Sequence, residues 1–246
     1  MRRPAAAALL LAVCAAAVAG DGDMRVLTDE ITERGDVGID LQLDLSGRPR
    51  NPELEGRDAL NGLFELSYGI ADEWEASLQL PVVREGGRSY LGGANLEFQY
   101  VASHDNTQGP YCGIRIEIGY AGRPGEPRSW QTEWRPILGY RHGDWHGVLN
   151  AGLHAPVTGS ERRVTFEPTV RLVRAVSRRS AAGFELEVDA GPLSHPLPQA
   201  QRREVLLAVF DTRYRKIDFT VGIGKGLNTN SDRIAAKLLA SFELDD

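Results

Sequence analysis

From residue 37 almost to its end, the chain alternates apolar and polar residues with a period of two. Side chains of an extended backbone point to opposite faces in turn, so this pattern specifies strands with one apolar and one polar face. Val37, Ile39, Leu41, Leu43 and Leu45 alternate with Gly38, Asp40, Gln42 and Asp44. Phe64, Leu66, Tyr68 and Ile70 alternate with Glu65, Ser67 and Gly69, and Trp74, Ala76, Leu78 and Leu80 with Glu75, Ser77 and Gln79. Residues 94–100, 114–120 and 217–223 repeat the pattern cleanly. Less regular segments lie near 130–141, 145–157, 164–174, 183–190, 204–215 and 233–244.

About twelve segments, an even number, predict an all-β fold: an antiparallel up-and-down transmembrane β-barrel. The spacing, about 19 residues per strand and connection, suits tilted strands of ~10 residues. The connections alternate in character too. Ala71-Asp72-Glu73, His142-Gly143-Asp144 and Arg215-Lys216 are tight, whereas 46–58, 122–128 and 191–203 are longer and rich in Pro, Gly and Arg. Short turns at one end and long loops at the other are the barrel arrangement. Tyr68, Tyr90, Tyr100, Tyr120, Tyr140, Tyr214, Trp74, Trp130 and Trp145 fall at strand ends on the apolar parity, where interface girdles lie. A soluble β-sandwich or lipocalin-like barrel alternates as well, but globular strands are usually ~5–6 residues. Pro136 and Pro168 fall inside strands and each removes a ladder hydrogen bond, so bulges or shifted boundaries are expected there.

The first residues set the compartment. Arg2 and Arg3 precede an apolar run from Ala5 to Ala19, and Ala17-Val18-Ala19 is a small-x-small cleavage pattern. The expected organisation is a signal peptide over 1–19, a periplasmic segment over 20–35 and a β-barrel over 36–246. The run is too short and too Ala-rich for a membrane anchor, which needs ~20 strongly apolar residues. Leu11-Ala12-Val13-Cys14 offers a lipoprotein-like alternative. Without residues 1–19 the chain keeps 26 of its 28 basic residues against 34 acidic ones, a net charge of −8 with His neutral. Phosphate binding needs a basic excess, so nucleic acid is excluded as a partner. Of the cysteines only Cys112 then remains, so no intramolecular disulfide is expected. No long apolar run follows the leader, which excludes a helical membrane protein.

No catalytic, cofactor or metal motif emerges. Gly222-Ile223-Gly224-Lys225-Gly226 lacks the spacing and the Ser/Thr of a phosphate loop. His142 and His146 have metal-like spacing but flank a turn, so solvated or hydrogen-bonded histidines are expected. His146, His154 and Asn150 share the inward parity, but no Ser completes a hydrolase triad. Arg162-Arg163, Arg178-Arg179 and Arg202-Arg203 lie in loops and read either as solvated charge or as contacts to anionic lipid head groups.

The hairpin from Gly62 to Pro81, with its Gly69-Ile70-Ala71-Asp72 turn and alternating strand ending in Pro, resembles a hairpin of outer-membrane transporters. The tail from Ile217 to Leu244, with Gly222-Ile223-Gly224-Lys225-Gly226-Leu227-Asn228 and Ser231-Asp232-Arg233, is similar to the last hairpin of that group. The family named by this resemblance is the MetA-pathway phenol-degradation type of outer-membrane channel. The likeness covers about a quarter of the chain and implies a transporter-like barrel, with no substrate-binding residue carried over. The tail also resembles the signal read by the barrel-assembly machinery. Lys237 stands at its polar position and Phe242 and Leu244 at its apolar ones, although Leu239 replaces the usual Gly and Asp245-Asp246 trail the strand.

The inward parity carries twice as many acids as bases. Asp40, Asp44, Glu65, Glu97, Glu117, Glu167, Glu185, Glu187, Asp189 and Asp211 stand there with Arg115, Arg135, Arg171, Arg213 and Lys237. The expected function is an outer-membrane barrel forming a narrow, cation-favouring channel or transporter for a small solute, without enzymatic activity. Glu185, Glu187 and Asp189 form the most acidic stretch. A non-conducting structural or adhesion barrel and a soluble periplasmic ligand-binding barrel are the alternatives. The expected partners are outer-membrane lipids, the assembly machinery and a small solute, with no cofactor.

Overall fold

The computed structural model describes residues 25–47, 59–85, 88–102, 107–121, 129–158 and 163–244, so the expected signal peptide lies outside the described residues. The strands are β1 (Val37–Ser46), β2 (Ala59–Ala71), β3 (Trp74–Glu85), β4 (Arg88–Leu91), β5 (Gly93–Ala102), β6 (Gly109–Ala121) and β7 (Ser129–His142). They continue as β8 (Trp145–Pro156), β9 (Thr165–Ser177), β10 (Ser180–Asp189), β11 (Arg203–Tyr214), β12 (Ile217–Gly226) and β13 (Ala235–Leu244). Each pairs antiparallel with its neighbours, and β1 pairs with both β2 and β13, which closes the sheet. Strand β4 pairs only with β3. The barrel proper therefore has twelve strands, and β4 prolongs one hairpin at the long-loop end. Four residues are too few to show a period, which is why the alternation does not reveal β4.

Closure leaves no free edge among the twelve wall strands, which suits a wall facing hydrocarbon. The outer surface is apolar. Leu96 and Ile118, paired across β5 and β6, are 48% and 50% exposed, and Phe184 is 60% exposed. A water-soluble barrel would bury such residues, because exposed apolar patches above a few hundred Å² are rare in soluble monomers. Aromatics stand at both ends of this wall. Trp74 packs on Tyr100 at 4.9 Å between centroids near the short turns, and Tyr120 on Trp130 at 5.3 Å near the long loops.

The prolines need no bulge. The β7–β8 ladder drops its pairing at Arg135 and Pro136 but resumes in the same register, from Trp134↔Leu153 to Ile137↔Asn150. Pro168 stands opposite Ala151. Both donor-poor positions therefore border Ala151 and Gly152 of β8, and the sheet absorbs them as one local gap in hydrogen bonding.

Candidate functional site

The interior is the candidate site, and its largest feature lies outside the strands. Residues 25–34, expected to form a periplasmic segment, enter the barrel at the short-turn end and run along the inner wall to mid-height. The entry is fixed by backbone bonds: Gly35 N–H to Gly69 O at 2.8 Å and Gly69 N–H to Asp36 O at 3.2 Å. A Cβ on Gly69 would lie 2.0 Å from Glu33 O, so only glycine admits the segment here. Deeper in, Thr32 N–H donates to Glu75 Oε2 at 2.7 Å. Arg141 holds Asp29 through both carboxylate oxygens, with Nε to Oδ2 at 3.1 Å.

At mid-height the segment is held by polar and apolar contacts together. Leu27 N–H donates to Asn150 Oδ1 at 2.8 Å, and Asn150 Nδ2 donates to Leu27 O at 3.0 Å. The Leu27 side chain is buried with Val101, Tyr111, Ile137 and Val148, and Val26 and Ile31 pack against the same cluster. Arg25 reaches Glu65 at 2.6 Å, Asp40 at 3.2 Å and Glu97 at 3.6 Å, and its carbonyl accepts from Arg135 Nη1 at 3.0 Å.

The inward parity read from the sequence places its charges on the inner wall. Asp40, Glu65 and Glu97 surround Arg25, and Arg115 binds Glu97 at 3.2 Å. Arg135 also pairs with Glu133. Glu117 faces Glu97 and Glu133 across the neighbouring strands, while Asp44 is buried and accepts from Gln42. Glu167 accepts from Thr165 at 2.9 Å. On the opposite wall Glu185 is fully buried between Arg171 and Lys237, and Arg171 also binds Asp211. Arg213 sits at the rim, bound to Asp218.

Two expectations about this interior need correction. The acidic stretch Glu185, Glu187 and Asp189 is not a stack of open charge. Glu185 has two cationic partners, Glu187 lies 3.8 Å from Arg203, and Asp189 accepts from Gly191 N–H at 2.8 Å. Nor is the inward face uniformly polar. Val205, Leu207 and Val209 of β11 are buried inside with Val173 and Ala235.

The candidate hydrolase group does not assemble. His146 bonds to Tyr111 Oη at 2.7 Å, His154 to Gln131 at 2.8 Å, and Asn150 to Leu27. His142 stacks on Tyr140. Among the described residues no three His, Cys, Asp or Glu side chains are grouped as metal ligands. Arg203 is tied to Asp232 and Arg202 to Leu197 O, so that basic pair is structural.

Beside the segment, a cavity of about 1230 Å³ opens at the short-turn end. It is bounded by the segment on one side and by Arg171, Asp211, Thr220 and Ser241 on the other, and reaches as deep as Gln42, Glu185 and Lys237. Beyond that depth the inward side chains Asp44, Asn61, Glu187 and Val205 are packed out of solvent. The interior is a funnel narrowing to a charged belt.

No protein-family model and no curated protein matches the sequence. Solved structures do match the fold. An outer-membrane channel from Pseudomonas putida F1 superposes with a TM-score of 0.63 at 16% identity, covering 92% of this chain and 100% of that one. The NanC porin gives a TM-score of 0.59 at 9% identity over 84% of this chain and 100% of its own. The translocator domain of the autotransporter NalP from Neisseria meningitidis gives 0.51 at 8% identity, over 97% and 95%. At these identities the likeness is one of fold, and that fold is the outer-membrane β-barrel.

Proposed function

We propose that this chain is a narrow outer-membrane channel for a small solute, closed in the described conformation by residues 25–34 and the mid-height charge belt. The observation that carries this reading is the cavity beside the segment, about 1230 Å³, which stops at the Arg171–Glu185–Lys237 group. The short-turn end is periplasmic and the long loops face outward, following the rule for such barrels. Structural likeness to a channel and a porin supports conduction. The hairpin at 62–81 and the tail at 217–244 support a place in the MetA-pathway phenol-degradation type of outer-membrane channels.

The segment is suited to move because its contacts are mostly polar and can be exchanged for water. A conducting state needs it shifted toward the periplasm, which leaves the strand pairing of the wall intact. The test uses the reconstituted barrel in a planar bilayer and in a liposome-swelling assay with small neutral solutes. Leu27→Cys with Val148→Cys, in a Cys112→Ser background, joins two residues of one apolar cluster. Small, intermittent conductance is expected, lost on oxidation and restored by reductant. Absence of flux under both conditions overturns the reading in favour of a structural barrel.

A further inference from the structure

We propose that the periplasmic rim formed by β9 to β12 is a docking surface for anionic phospholipid of the inner leaflet. The two turns that build it are Arg178-Arg179, between β9 and β10, and Arg215-Lys216, between β11 and β12. They lie close together, since Arg213 N–H donates to Arg179 O at 2.9 Å. Four basic residues therefore share one short arc, and Arg178, Arg179, Arg215 and Lys216 are all exposed.

The choice of residue at the second of these turns is costly for the backbone. Tight hairpin turns favour Gly or Asn where φ is positive. The β7–β8 turn follows that rule, with Gly143 at φ 57°, whereas the β11–β12 turn places Arg215 at φ 58°. A long side chain in the left-handed region is disfavoured relative to Gly or Asn. Local folding alone would select Gly or Asn here, so the basic side chain answers another demand.

The surroundings match a head-group site. Arg215 lies over the Tyr214 ring at 5.4 Å and Arg174 over Trp145 at 5.8 Å, and both aromatics face outward, 63% and 47% exposed. Aromatic side chains at the interface with guanidinium groups beside them fit a lipid phosphate above its acyl chains. Among the described residues the β2–β3 side of the rim is net acidic, although Arg34 pairs there with Asp72 at 3.9 Å. Its β2–β3 turn is Asp72-Glu73, near Trp74, with Glu33 and Asp36 beside it. One arc of the rim thus attracts anionic lipid and the other repels it.

This inference does not depend on conduction, so failure of the channel reading leaves it standing. The test uses two forms of the barrel, one keeping Trp145 alone and the other Trp74 alone, with the remaining tryptophans changed to Phe. Each is folded into phosphatidylcholine bilayers containing brominated phosphatidylglycerol or, separately, brominated phosphatidylcholine. Brominated phosphatidylglycerol should quench Trp145 with an apparent affinity at least about threefold above brominated phosphatidylcholine, while Trp74 shows no preference. Arg178→Gln, Arg179→Gln, Arg215→Gln and Lys216→Gln together should remove the preference, with folding checked by heat-dependent gel migration. Glycerophosphate at millimolar concentration should not compete, because it lacks the chains that Tyr214 and Trp145 face. Equal quenching by the two lipids at Trp145, an equal preference at Trp74, or a quadruple variant that keeps the preference would each overturn the proposal.

Discussion

Asn150 of β8 satisfies both backbone polar groups of Leu27, accepting from its N–H at 2.8 Å and donating to its carbonyl at 3.0 Å. One carboxamide thus does for the inserted segment what a neighbouring strand would do, at a point where no strand is available. Asn150 is itself fully buried, and Thr169 donates to its Oδ1 at 3.2 Å. Removing the amide strands two buried backbone groups, each worth about 1–3 kcal/mol. Asn150→Ala should therefore raise the frequency of channel openings and make residues 25–34 sensitive to added protease in reconstituted barrels. Asn150→Asp keeps the acceptor but loses the donor, so its effect should be intermediate. Unchanged gating and protease resistance in Asn150→Ala would mean that other contacts hold the segment.

Glu185 faces Arg171 and Lys237 with no water-accessible surface of its own. Glu185→Gln leaves these two cations with Asp211 as the carboxylate that binds Arg171. Breaking one side of a buried pair costs about 3–5 kcal/mol, so thermal stability should fall. The reversal potential under a salt gradient should move toward anion preference. Changing Asp189 to Asn should move it far less, since that residue serves a local turn through Gly191. Equal shifts from both positions would place Asp189 on the path as well.

The wall was legible because its two faces differ in chemistry at every second residue. The inserted segment was not, because residues 25–36 show no period and their apolar members Val26, Leu27 and Ile31 look like an ordinary linker. A signal for it existed in the charge pattern. The inward positions of β1, β2, β3 and β5 carry Asp40, Asp44, Glu65, Glu75 and Glu97 and no base. Such a row needs a cation from elsewhere, and Arg25 is that cation. The apolar inner residues Val205, Leu207 and Val209 escaped notice for a different reason. They sit beside outward apolar residues, so β11 reads as uniformly hydrophobic and its facing is set only by its neighbours.

The difference between faces predicts unequal tolerance of charge. Leu96 is half exposed on the lipid side at mid-wall, whereas Thr220 lines the wide cavity next to Asp211, to which it donates at 2.8 Å. Leu96→Arg should cost roughly 2–4 kcal/mol and block assembly, seen as loss of the fast-migrating unheated band on gels. Thr220→Arg gains a carboxylate neighbour and should assemble normally. Similar assembly of the two variants would mean that the register of the wall is wrong. Gln99→Arg is a harsher test of the interior, because Gln99 pairs directly with Arg115 across β5 and β6.

Arg25 offers the most discriminating test, because it links the position of the segment to ion selectivity. Its guanidinium serves three carboxylates, Glu65, Asp40 and Glu97, on a wall with no base of its own short of Arg115. Arg25→Gln leaves those carboxylates buried beside a neutral side chain, a state that water entry and outward movement of the segment relieve. Conductance should rise, and cation preference should strengthen, because the exposed carboxylates then line the path in a wall of low dielectric. High salt should weaken that preference as the Debye length falls from ~10 Å at 0.1 M to ~3 Å at 1 M. This shift is opposite in sign to the one expected for Glu185→Gln, so a general loosening of the barrel cannot mimic both. Adding Glu65→Gln to Arg25→Gln removes the nearest carboxylate and should restore part of the closed behaviour and of the original selectivity. A fall in conductance, or a double variant no different from Arg25→Gln, would show that Arg25 is a passive filler rather than the electrostatic latch of the segment.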